Sequence, residues 1–319
     1  MTGSHGLKDL AIIDGPDVAR LLPYLELVDA LEAGHRRPPA LVRRTVFGPE
    51  GGGDSFLGLP AWSPGRQLGV KLVTVFPGNT ALPEPLPSVQ AVYVLFDGPD
   101  GSPLAVIDGT ELTYRKTAAD SALGSRLLSR PDARTLLMVG AGGLAPHLVA
   151  AHRAVRPSIE RVLLWNRTRA RAEAVATVLG AEAVVDLAAA VPQADIVCTA
   201  TMTAEPLVEG RWLRPGTHLD LVGAFMPDRR EVDDEAVLRA ELYVDTREVT
   251  TVEDGDLAIP LAAGTITLDD IRADLYQLCR GEVAVDRRSD TITLFENGGG
   301  GHLDLMCAEF LWQRWQDEP

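Results

Sequence analysis

The chain has 319 residues, of which 46% are hydrophobic and 24% charged, with a formal net charge of −15. These are globular proportions, and the length allows one large domain or two ordinary ones. A partner such as nucleic acid demands a basic face, so the acidic balance excludes it, while a small anion met by a few local cations stays open.

Three widely spaced cysteines, Cys198, Cys279 and Cys307, form neither a metal-ligand spacing nor a disulfide framework. Residues 1–12 lack a cationic stretch followed by an apolar one, and no apolar run approaches the roughly 20 residues of a membrane helix. The expectation is a reduced, cytoplasmic protein with no membrane partner.

Residues 1–115 are rich in Gly and Pro, with apolar runs at Leu68–Phe76 and Ala91–Phe96 that read as strands bounded by turns at Pro77-Gly78 and Asp97-Gly98. The stretch from Asp97 to Pro103 joins two strands as a hairpin would. Thr117 is placed to cap a helix reaching Leu128, and Pro131 ends it.

The texture then changes. Strands are expected at Arg134–Val139, Arg161–Trp165, Ala183–Val185, Asp195–Thr199 and His218–Val222. Helices are expected at Gly142–Val155 and at Thr168–Leu179, the second capped by Thr168. Alternating strand and helix predicts a parallel, doubly wound sheet of the Rossmann type. A helix is expected at Asp269–Arg280 and a strand at Thr291–Glu296. The glycines 298–301 lead into a last helix, Leu303–Trp315, apolar on more than one face. That helix is expected to return to the N-terminal domain, so that residues 117–291 form a dinucleotide-binding domain inserted between 1–116 and 292–319.

Val139-Gly140-Ala141-Gly142-Gly143-Leu144-Ala145 fits G-x-G-x-x-A, and it follows an apolar strand and opens a helix, the context that makes the motif informative. Gly140 permits the tight turn, Gly142 lets backbone approach a pyrophosphate, and Ala145 allows close helix–strand packing. The helix N-terminus offers N–H groups and a positive dipole end to the phosphates. At the tip of the next strand, Trp165-Asn166-Arg167-Thr168-Arg169 has no acid for the ribose hydroxyls and two arginines instead. A 2′-phosphate would be repelled by an acid and attracted by guanidinium groups, which favours NADP(H) over NAD(H). Thr199, Ala200 and Thr201, and then Val222 and Gly223, lie just beyond strands where such ligands bind. His147 and His152 are five apart and share no helix face, and no metal is expected.

Taken together, Gly69–Asn79, Leu112–Leu123, Val139–His147, Trp165–Thr168, Thr199–Thr201, Pro215–Gly223, Arg230–Asp233 and Asp304 resemble the ornithine cyclodeaminase/mu-crystallin family almost from end to end. The resemblance implies a Rossmann-type sheet inserted in an α+β substrate-binding and dimerisation domain. It also implies a homodimer built through the N-terminal sheet and a nicotinamide cofactor. The activities it implies are cyclodeamination of ornithine, oxidation of amino acids, or reduction of cyclic ketimines.

Lys71 matches the family's active-site lysine. On its strand it shares a face with Val73 and Val75, where a lysine is costly to bury without a partner. A substrate carboxylate or an imine nitrogen would supply one. Lys116, with Arg115 before it, stands where the family has an arginine that grips the substrate carboxylate; lysine offers a point charge in place of a bidentate fork. Arg44, in preference to Arg43, resembles the family's other carboxylate clamp. Asp304 matches the family and joins Arg44 and Lys116 as a substrate-binding candidate; it and His302 also read as residues at a helix start, with a catalytic role for His302 as the alternative. Asn297 replaces an expected serine. Phe225 stands where the deaminating branch has an acid–base aspartate, and a phenyl ring cannot carry a proton. The expectation is therefore NADPH-dependent reduction of a cyclic imino acid. The alternatives are an amino-acid dehydrogenase, a cyclodeaminase-type lyase, or an NADPH-binding protein without catalysis.

Overall fold

A computed structural model describes residues 10–49, 52–285, 287 and 290–318; most of the segment read for a leader, residues 1–9, lies outside them. The chain divides into two compact units. The first comprises residues 1–34, 38–116 and 300–319, and the second comprises residues 35–37 and 117–299. No helix among the described residues is long and apolar enough to cross a membrane.

The first unit is built on a seven-stranded sheet. Its strands are β1 (Ala11–Ile13), β2 (Leu41–Val42), β3 (Thr45–Phe47), β4 (Ser55–Trp62), β5 (Leu68–Val75), β6 (Val89–Phe96) and β7 (Pro103–Asp108). The order is β1-β7-β6-β5-β4-β2, with β3 also on β4; only β1–β7 is parallel. Helix α1 (Gly15–Leu21) is capped by Asp14, whose side chain accepts from Asp17 N–H. Helix α2 (Tyr24–His35) follows. The last helix, Gly301–Gln316, is largely buried and packs on β4 and β5. That packing divides β5 by its period of two: Gly69 and Lys71 are buried while their neighbours are only partly so. Val46, Phe47, Phe56, Trp62 and Val92 remain exposed on this sheet.

Helix α3 (Gly109–Leu128) is one continuous helix, and the division between the units falls inside it, after Lys116. Thr117 is thus mid-helix and caps nothing; the start lies eight residues earlier, where Asp108 accepts from Glu111 N–H at 2.7 Å.

The second unit holds an eight-stranded sheet in which every pairing is parallel. Its strands are β8 (Thr135–Val139), β9 (Arg161–Trp165), β10 (Glu182–Ala183), β11 (Ile196–Thr199), β12 (His218–Leu221), β13 (Glu241–Val244), β14 (Ile271–Asp274) and β15 (Thr293–Glu296). The order is β10-β9-β8-β11-β12-β15-β13-β14. Helices α4 (Ala145–Val155) and α5 (Arg169–Leu179) follow β8 and β9. β8 and β11 are buried on both faces, which is why they read as largely apolar runs; β12 is equally buried but carries His218 and Asp220 inside.

Two expectations are corrected here. Residues 292–299 belong to the second unit: β15 lies between β12 and β13, and all four of its side chains are buried, an environment that the middle of a parallel sheet provides. The segment 269–280 is not one helix. Strand β14 interrupts it, with a single 3-10 turn before it and the short helix Leu275–Cys279 after it, capped by Asp274.

Candidate active site

In the second unit the strand order reverses between β8 and β11, the position where a crevice opens outside the carboxyl ends of the strands. The glycine turn sits there. Gly140 has φ +115°, and a Cβ on it would stand 2.7 Å from Ala200 O, so the fold itself requires glycine. Gly142 differs: its φ is ordinary and a Cβ would meet nothing within 4 Å. Open space against backbone at that point is what a pyrophosphate needs. Beyond it Gly143 is exposed and Leu144 half-buried. No side chain caps α4: Ala145 N–H donates to Gly142 O at 3.1 Å, and Pro146, which follows, has no N–H to satisfy.

The turn is braced from the tip of β9. Asn166 Oδ1 accepts from Ala141 N–H at 3.2 Å, and Asn166 Nδ2 donates to Thr168 O at 3.1 Å. Thr168 precedes α5 but makes no side-chain cap. Arg171 Nε donates to Ala141 O at 2.8 Å; it is a basic residue of the turn that lies outside the motif and shows only in three dimensions. Arg167 and Arg169 are exposed, and Arg169 pairs with Glu173 at 2.7 Å on the surface. An exposed pair of this kind contributes little and is readily exchanged for a phosphate.

On the far side of the crevice, Thr199 is buried and Ala200 and Thr201 are half-buried at the exit of β11, with buried Val222 and Gly223 at the exit of β12. Gly223 is pressed between Thr201 O and the Glu231 carboxylate, leaving no room for a side chain.

The first unit buries a charge. Lys71 is 7% exposed, and its ammonium stands 3.1 Å from Asp304 Oδ1 and 2.9 Å from Oδ2. Burial lowers the Lys71 pKa from its ordinary value; Asp304 opposes the fall and the nearby Lys116 charge adds to it. Tyr93 faces Lys71 across the β5–β6 ladder, and its ring lies over Gly69, where any side chain would collide with it. Burial and the neighbouring Asp304 and Glu309 push the Tyr93 hydroxyl well above its ordinary pKa, so it stays protonated.

The first unit thus holds a buried ammonium with a lowered pKa, and the second a glycine turn at the reversal of its strand order. A profile of the ornithine cyclodeaminase/mu-crystallin family matches residues 17–318. The chain belongs to that family. It is 46% identical over 300 residues to the Delta(1)-pyrroline-2-carboxylate reductase of Paracoccus denitrificans, covering 92% of this chain and 94% of the relative. It is 38% identical over 269 residues to the ketimine reductase mu-crystallin of Mus musculus, covering 82% and 80%. Among solved structures it resembles the Delta(1)-pyrroline-2-carboxylate reductase of Thermococcus litoralis in complex with NADH and L-proline. The TM-score is 0.88 and the identity 30%, over 97% of this chain and 98% of that one.

The family's other positions are met unevenly. Lys116, in place of the family arginine, is 5% exposed and close enough for its charge to act on Lys71. Arg115 turns elsewhere: it donates to Glu111 at 2.8 Å and to Leu22 O at 3.2 Å, and lies 4.7 Å over the Tyr24 ring. Arg44 is exposed, in the turn between β2 and β3 and not on a strand. Its neighbour Arg43 donates N–H to Pro60 O, next to the register partner of Lys71 on β4. Asp304 makes no helix cap; it is fully buried as the partner of Lys71. His302 is buried in the same first turn, with its ring against Gly300. Asn297 donates to Thr117 O and Ser121 Oγ in the second unit. Phe225 is half-exposed just past β12.

Among the described residues, His152, Cys198 and Asp220 bring their ligand atoms within 4.8 Å of one another, all buried under the parallel sheet. Sequence spacing could not reveal this group, because it joins a helix to two strands. His152 Nε2 lies 3.0 Å from Asp220 Oδ2. Burial works most strongly on the Asp220 carboxylate and pushes its pKa up, but the hydrogen bond and charge of His152, with Cys198 and His218, together outweigh it and hold the pKa below its ordinary value.

Proposed function

We propose that this chain reduces the C=N bond of a cyclic imino acid of the pyrroline-2-carboxylate or piperideine-2-carboxylate class, with NADP(H) as its cofactor. The observation that carries the reading is the buried Lys71 ammonium, held by Asp304 beside a second buried ammonium, Lys116. The names of the relatives support the same chemistry.

Reduction of an imine needs a hydride on carbon and a proton on nitrogen. When bound, the reduced nicotinamide supplies the hydride. Lys71 supplies the proton from Nζ: burial makes its ammonium a stronger acid than a solvated lysine, and Asp304 keeps it charged until the imine arrives. Lys116 offers the substrate carboxylate a buried positive charge, with Arg44 as a second cation. Phe225 brings no acid–base group, and reduction of a preformed imine asks for none there. Arg167 and Arg169, with no acid at the tip of β9, support the phosphorylated nucleotide, although the Thermococcus relative was solved with NADH. The exposed apolar side chains Val46, Phe47, Phe56 and Trp62 support a homodimer through the first sheet. Three free, buried cysteines support a reducing, cytoplasmic setting.

Absorbance at the NADPH band with each imino acid, beside an ammonia assay with ornithine, tests the reading. Oxidation of NADPH that depends on the imine is the expected result. Ammonia from ornithine without net NADPH oxidation would identify a lyase instead. Tight NADPH binding without turnover of any imine would remove the reductase.

A further inference from the structure

We propose that Glu231 is a positioning residue for the nucleotide, shaping the floor of its crevice without touching it. The inference rests on the reading of that crevice as the nucleotide site. The Glu231 carboxylate is fully buried and gathers five donors. Oε1 accepts from Thr201 N–H and Thr201 Oγ1, both at 2.6 Å. Oε2 accepts from Thr199 Oγ1 at 2.7 Å, Gly223 N–H at 2.6 Å and Val222 N–H at 3.3 Å. One side chain therefore ties the exit of β11 to the exit of β12, the two adjacent strand ends beside the switch point where such ligands lie.

Gly223 shows how closely the clasp is drawn, since a Cβ there would run into Thr201 O and into the carboxylate itself. The residue is held in turn by its own backbone. Asp256 Oδ1 accepts from Glu231 N–H at 2.8 Å and from Val232 N–H at 3.0 Å, and Glu231 O accepts from Leu207 and Val208 N–H. An apolar side chain of similar size would fill the same space at lower desolvation cost. Only a group accepting through both oxygens serves the backbone N–H groups of Thr201 and Gly223 at two different strand exits, while Val222 N–H is shared with Thr199 O at 3.0 Å.

Glutamine is the discriminating substitution. Either orientation of its amide turns an NH2 toward at least one backbone N–H, that of Thr201 or those of Gly223 and Val222. One strand exit must then let go, and a buried unpaired donor of this kind is worth about a tenfold change in an equilibrium.

The test is NADPH binding by fluorescence titration, together with steady-state kinetics, on the full chain. Glu231→Gln is expected to raise the NADPH Kd and KM about tenfold, while the imine KM and the kcat at saturating nucleotide stay within about twofold and threefold of wild type. Thr199→Val removes one donor and leaves all three backbone N–H groups served. It should weaken NADPH binding by a few fold in the wild-type background and by less in the Glu231→Gln background. If Glu231→Gln does not fold, Thr199→Val alone decides: weaker NADPH binding with unchanged imine KM supports the assignment, and unchanged NADPH binding overturns it. Wild-type chain that binds no NADPH overturns the nucleotide reading and this assignment with it. Wild type that binds, with Glu231→Gln binding equally well or losing kcat and both KM values alike, overturns the assignment alone.

Discussion

The two units bury charge in opposite ways. In the first, the Lys71 ammonium meets one formal opposite charge, Asp304, on a helix that reaches it from the other end of the chain. In the second, the Glu231 carboxylate meets no cation among its described hydrogen-bond partners; backbone N–H groups and threonine hydroxyls hold it. The Lys71–Asp304 pair can be opened, because a substrate anion or an imine nitrogen can replace part of what Asp304 provides. The Glu231 clasp cannot be opened without moving two strand ends. The proposed chemistry therefore goes with the ion pair, and the proposed positioning role with the clasp.

The sharpest way to break this contrast is to delete the pair while keeping the core. Replacing both members by apolar residues, Lys71→Met with Asp304→Leu, avoids stranding a buried charge and should keep the fold. Turnover should fall by at least about a hundredfold with NADPH affinity unchanged. Retained imine reduction in that variant would take the proton-donor role away from Lys71.

Asp304→Asn alone strands the ammonium and should cost about 3 kcal/mol in denaturant unfolding. It should also move the alkaline limb of the pH–rate profile to lower pH. The sign follows from the proposed role of Lys71: a proton donor must carry its proton to give it, so the rate falls as pH rises through its lowered pKa. An unmoved alkaline limb would mean that another group sets it.

The clasp side has its own titration. Burial, then the charge of Glu231, push Asp256 up to about 8 from an ordinary 3.8. A raised carboxyl binds its proton more tightly in the folded state. Stability is therefore fullest below about pH 4 for this group and declines as pH rises to about 8, by at most about 1.4 kcal/mol per unit. Asp256→Asn keeps an acceptor for the N–H groups of Glu231 and Val232 and should flatten that decline; parallel stability curves for variant and wild type would contradict it.

Smaller effects sharpen the glycine turn. Gly142→Ala should leave the melting temperature unchanged, because the added methyl meets no protein atom within 4 Å, and should weaken NADPH about tenfold if the proposed nucleotide lies against this turn. Gly140→Ala should lower the melting temperature, because it meets Ala200 O. Smallest of all, Arg167→Ala with Arg169→Ala should lower the preference for NADPH over NADH, read as the ratio of the two kcat/KM values.

Much of the second unit was legible in one dimension. Unbroken apolar strands, the glycine turn and the basic strand tip are local patterns, and each is read within about ten residues. The ends of that unit were less legible. Sequence pattern does not separate β14 from a helix or β15 from the other unit, because a four-residue buried strand carries no periodicity of its own and is defined by its neighbours in the sheet.

The site residues divide in the same way. Lys71 on an apolar strand face and the missing acid at Asn166 are residue types out of keeping with their positions, while Lys116 and the phenyl ring at Phe225 stand out only against the family that the sequence resembles. Folding alone decided that Asp304 is the partner of Lys71 across 233 positions, that Arg115 turns to Tyr24, and that Arg171 and Glu231 brace the crevice. A hydrogen bond or an ion pair forms at about 3 Å in space whatever its separation along the chain, so pairings between distant segments leave no local trace.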